Sequence, residues 1–83
     1  MLDPISKFAL TYQELSRQQF LLAHQQLHSG KDHRVAFDLS EVYRHAASQL
    51  RSLTARLVPR DLPDVDREWR RIDQEYNALH GGH

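Results

Sequence analysis

Residues 62–79 read LPDVDREWRRIDQEYNAL, and their apolar members decide the fold. Leu62, Val65, Trp69, Ile72, Tyr76 and Leu79 are spaced 3, 4, 3, 4, 3. That is an unbroken heptad pattern, and it puts all six side chains on one narrow stripe of a helix. Asp61 is the expected N-cap, and Pro63 sits in the first turn, where its missing N–H does no harm. Asp64, Asp66 and Glu68 crowd the start, where the helix dipole favours negative charge. Gly81 and Gly82 are expected to end the helix, because glycine adopts a left-handed backbone at little cost.

Working outward, the segment before it repeats the pattern. Leu39, Tyr43, Ala46, Leu50, Leu53 and Leu57 are spaced 4, 3, 4, 3, 4. Asp38 or Ser40 is the expected cap, and Pro59 stops the helix. Arg51, Arg56 and Arg60 lie towards its end, where positive charge suits the dipole. The first segment has a wider apolar face. Ile5, Ala9, Tyr12, Ser16, Phe20, Ala23 and Leu27 make one stripe, and Phe8, Leu15 and Leu22 make a second beside it. A helix touching two others needs such a face. Asp3 and Pro4 supply its cap and first residue. Ser29–Arg34, with Gly30, and Pro59–Pro63 are the two breaks. No run of strand alternation exceeds a few residues.

The predicted fold is all-α, a single-domain antiparallel three-helix bundle over residues 1–83 with helices at about 4–28, 39–58 and 62–80. Helices 2 and 3 are expected to form a tight hairpin, with helix 1 covering both. Residues 30–60 hold six basic and three acidic side chains, and residues 61–83 hold three basic and six acidic. Opposite fields favour that pairing, although exposed ion pairs contribute only about 0–1 kcal/mol each.

Composition excludes several functions. There are no cysteines, so disulfides and thiolate zinc sites are ruled out. Eleven basic against eleven acidic residues leave a formal net charge of zero, without the basic excess of a nucleic-acid binder. The longest apolar run, Phe20–Ala23, is far below the roughly 20 residues of a membrane span. The start, Met1-Leu2-Asp3-Pro4, lacks the form of a secretory signal. A cytoplasmic protein with no membrane association is the expectation.

Histidine is the outlier, with six residues. His24 and His28 share a helix face and offer two imidazoles, but a metal site needs a third or fourth ligand. No Glu follows in the pattern of a metalloprotease, and His80 and His83 merely flank two glycines. The expected reading is a set of polar histidines, with no metal and no cofactor. The serines are scattered, no glycine-rich phosphate loop exists, and the carboxylates of helix 3 alternate with Arg67, Arg70 and Arg71. No catalytic residue is assigned and no enzymatic activity is expected.

Two binding surfaces remain. Leu10, Arg17, Leu21 and His28 fall on one line, opposite the main stripe of helix 1, and form the expected partner-binding face. The function expected is a small protein–protein interaction module, an adaptor, chaperone-like or regulatory subunit, that docks through helix faces onto another protein or onto itself. An obligate homo-oligomer with an intermolecular helical core is one alternative. The other is a nucleic-acid-binding regulator using Lys31, Arg34, Arg44 and Arg51, the last two one heptad apart on helix 2. Four cations neutralise few phosphates, which disfavours it.

Overall fold

The structure, a computed structural model, describes residues 1–81, with side chains as far as Glu75. Three helices follow in order: α1 Pro4–His28, α2 Arg34–Leu57 and α3 Leu62–Gly81, with a single 3₁₀ turn at Pro59–Asp61 before α3. No strand occurs among the described residues, and the chain is an all-α three-helix bundle. No helix among those residues is long and apolar enough to cross a membrane. Tyr76, Leu79, His80, Gly82 and His83, to which the sequence analysis assigned seam, histidine and terminating positions, lie outside the described side chains or backbone.

Local chemistry explains the boundaries. Asp3 caps α1, its Oδ1 accepting the Ile5 N–H at 3.0 Å, and Pro4 opens the helix. At the other end Gly30 has φ +71°, a left-handed backbone that suits glycine. The Gly30 N–H reaches the Leu27 carbonyl at 3.2 Å and the Lys31 N–H reaches Gln26 at 2.8 Å. That is a Schellman ending, which satisfies carbonyls the helix would otherwise leave open.

Helix α2 begins at Arg34, five residues before the expected start at 39. Asp32, not Asp38 or Ser40, sits at its entry, with Oδ1 accepting the Arg34 N–H at 3.0 Å. Asp38 is exposed inside the helix and Ser40 is buried inside it. Nothing between Arg34 and Asp38 breaks a helix, so it extends until the glycine turn stops it. Asp61 also departs from its expected role as a cap of helix 3. Its Oδ2 accepts the Asp3 N–H at 2.8 Å and the Ser6 hydroxyl at 2.7 Å, tying the start of α3 to the start of α1.

The packing is not the expected tight hairpin of helices 2 and 3. The main contact is α1 against α2, α3 lies against α1, and α2 meets α3 only sparsely. The buried seam of α1 is Ser6, Ala9, Gln13, Ser16, Phe20 and Ala23, spaced 3, 4, 3, 4, 3. Facing it on α2 are Ala36, Ser40, Ala47 and Thr54. Small residues dominate both sides. They let the two backbones come close enough for Ser16 Oγ to donate to the Ser40 carbonyl at 2.9 Å, while Ser40 Oγ donates to Ser16 at 3.1 Å. The expected seam of α2, Leu39 to Leu57, is therefore rotated away from the centre of the contact. Leu39, Tyr43, Leu50 and Leu53 straddle it half-buried, and Leu57 is exposed. Helix α3 adds Val65 and Ile72, almost wholly buried, to complete the core.

Candidate functional site

Helix α3 covers only one side of the α1–α2 pair, and its position follows from the polar contacts. Gln13 Nε2 donates to Asp73 at 2.7 Å. Arg17 pairs with Glu14 on its own helix and reaches Glu75 of α3 at 3.2 Å. Arg71 bonds Glu68 and Glu75, each at 3.0 Å. The resulting chain Glu14–Arg17–Glu75–Arg71–Glu68 laces the edge between α1 and α3. The Arg17 hydrogen bond holds the Glu14 carboxyl below its ordinary value, although burial opposes it. On the α2 side Arg51 grips Asp66, with Nη2 at 2.6 Å.

A helix turns about 100° per residue. Relative to Ser6, Gln13 and Arg17, which point at α3 and its entry, Phe8 and Leu22 lie roughly 140–180° around α1. Relative to Arg51, Val35, Val42 and Leu57 lie roughly 120–180° around α2. In an antiparallel pair these arcs open on the same side. The side away from α3 is thus a two-helix face on which Phe8 is 56 % exposed, Val35 69 %, Val42 60 % and Leu57 62 %. Half-buried Leu39 and Leu53, and the Tyr12–Tyr43 ring pair at 5.8 Å, fill the space between the ridges. Along α1 the remaining positions of this arc are Gln19 and Gln26, and along α2 they are Ala46 and Gln49, whereas Thr11, Leu15 and Gln18 line the groove against Glu68, Arg71 and Ile72 of α3. No charged side chain falls between the two ridges, and exposed Asp38 and Arg56 border the α2 ridge about 40° beyond Val42.

The expected partner face divides. Leu10 is half-buried and shares a groove with Glu14, Arg71 and Ile72 at the α3 edge. Arg17 is held by two carboxylates. Leu21 is half-buried beside His24, and only His28 is exposed. Leu10 and Leu21 therefore do not stand out in water, whereas Phe8 and Leu22, assigned to the core, do. Val35 and Val42 fall outside the heptad seam of the second helix. The signal for them was available: the apolar arc of the second helix, from Val35 through Leu57, is too wide for one seam.

The basic strip is also recast. Arg34 pairs with Asp32 at 3.0 Å, Arg44 with Glu41 at 2.9 Å, and Arg51 with Asp66. Lys31 is exposed in the loop. Each arginine thus carries a carboxylate that a nucleic-acid phosphate would have to displace. At the loop end of the pair, His24 packs between Phe20, at 4.5 Å between ring centroids, and Phe37, at 5.8 Å. His33 stands edge-on to Phe37 at 5.3 Å. These histidines contribute ring surface, and no group of three metal-ligating side chains occurs among the described residues.

An open wedge of about 610 Å³ separates α2 from α3, lined by Ser48, Arg51, Ser52, Asp66, Trp69 and Arg70. Its lining has two serines but no histidine, and its carboxylate is occupied by Arg51, so it presents no nucleophile–base pair. Comparison with protein-family models, with curated proteins and with solved structures finds no match for this chain.

Proposed function

We propose that this chain is a non-enzymatic protein-interaction module that docks the exposed apolar face of α1 and α2 against an apolar helical surface of a protein partner. One observation carries the reading: large apolar side chains from two helices stand exposed on one face, with charges only along its borders. Isolated exposed leucines are ordinary, but a contiguous apolar patch of several hundred Å² is how a monomer marks a contact surface. The charges gather instead on the α3 side and the edges, as they do in the rim of an interface. The cysteine-free composition suits a reducing compartment, so the reading is of a cytoplasmic protein.

The test is a triple variant, Val35→Ser, Val42→Ser, Leu57→Ser, beside a control altered at Arg67 and Arg70 on the outer side of α3. Both should keep the helical circular dichroism of the parent. Partners recovered from the native host by the parent and by the control should be lost from the triple variant. Equal recovery by all three would remove this face from the function.

A further inference from the structure

We infer that the partner of this face is a second copy of the same chain, the two α1–α2 hairpins pairing about a two-fold axis into a four-helix core with α3 outside. The inference rests on the docking reading above and names its occupant. Charge is the first argument. In a two-fold contact a side chain near the axis meets its own copy, so any charge there would face its like. The α1–α2 face carries none between its ridges, and Asp38 and Arg56 stand along its outer border on α2. Nor does it carry a sign that would select an oppositely charged partner, and the surface it fits is another like itself.

Area is the second argument. From Val35 to Leu57 the face runs about 33 Å, and two adjacent helices make it roughly 20 Å wide. Pairing would cover on the order of 600 Å² on each copy, about 1,200 Å² in all, the lower bound of stable protein interfaces. Shape is the third. The seam between α1 and α2 is dominated by small side chains, which leaves the exposed large ones as two ridges with the Tyr12–Tyr43 pair between them. Two ridged hairpins laid face to face make the side-chain core of a four-helix bundle, which a lone hairpin with α3 on one side does not complete.

The experiment is sedimentation equilibrium over a wide concentration range on the full chain, on Val42→Lys and on Arg67→Glu. Val42 is 60 % exposed on the α2 ridge of the face, and the Arg67 side chain is 71 % exposed on α3. The parent and Arg67→Glu should sediment at twice the chain mass. Val42→Lys should dissociate at concentrations at least about tenfold higher than the parent, because the pair would bury two like charges. Circular dichroism checks that it remains helical. If it unfolds, Val42→Gln takes its place and should weaken pairing in the same direction. A parent that stays monomeric throughout overturns self-pairing and leaves the docking reading to the partner-recovery test. A dimer that neither Val42 change weakens overturns self-pairing through this face, since the contact then lies elsewhere.

Discussion

Ser16 and Ser40 are where the packing of α1 on α2 is most exposed to refutation. Each is essentially inaccessible to water, at 0 and 1 % exposure, and each hydroxyl donates to the other residue's carbonyl. Those carbonyls lie inside helices, which already give them a backbone partner. Removing a hydroxyl therefore orphans no buried donor or acceptor, and the loss is that of one net hydrogen bond, about 1 kcal/mol for Ser16→Ala or Ser40→Ala. For a domain of this size that is roughly 4–8 °C in Tm. The two hydroxyl oxygens are 3.4 Å apart, so the sites share surroundings and the double variant should show a measurable coupling energy. Ser16→Leu is the opposite perturbation. It adds three carbons where the backbones nearly touch, and overpacking of that kind costs about 1–3 kcal/mol or more. Urea unfolding followed by circular dichroism at one protein concentration would order the series: parent, single alanines, double alanine, Ser16→Leu last. Should Ser16→Leu be as benign as Ser16→Ala, the helices do not meet through residue 16 and the seam described above is wrong.

Two further outcomes follow from placement. Asp61 accepts the Asp3 N–H and then the Ser6 hydroxyl, and these bonds hold its carboxyl below the ordinary aspartate value, against the pull of burial. Its contribution is therefore complete above that ordinary value, about pH 3.9, and is lost as pH falls through the lower folded value. Thermal midpoints of the parent and Asp61→Asn measured from pH 7 to pH 2 should converge in acid, and a constant gap would refute the assignment. Leu10→Gln should destabilise the monomer more than Phe8→Gln does. Leu10 is largely covered at the α3 edge, with most of a leucine's burial to lose, about 2 kcal/mol, whereas Phe8 is 56 % exposed and has about 1 kcal/mol at stake. Chemical denaturation of each variant at a concentration where it is monomeric decides the order, and the reverse order would put Phe8 in the core.

What could be read from the chain alone is local. Asp3-Pro4 starts a helix, Ser29-Gly30 and Pro59 end two, and heptad spacing makes each segment amphipathic; these depend on propensity, capping and period, which act over a few residues. Which arc of each helix is buried was legible only in part. On α1 the main stripe read from the spacing holds at Ala9, Ser16, Phe20 and Ala23, which are buried, while Phe8 and Leu22 of the second stripe are exposed. On α2 the spacing points to Leu39, Leu50, Leu53 and Leu57, and the fold instead buries the neighbouring arc of Ala36, Ser40 and Ala47. Small side chains bring the two backbones close at Ser16 and Ser40, and the serine hydroxyls find the facing carbonyls only at that distance. That gain belongs to the pair of helices and to neither sequence segment, so a wheel drawn for one helix does not show it. The same rotation, by some 60–80° on α2, turns Val35, Val42 and Leu57 outward and sends Leu10 and Arg17 towards α3. The amphipathic segments were written in the sequence, and the face left open for a partner was decided by how closely two of them could approach.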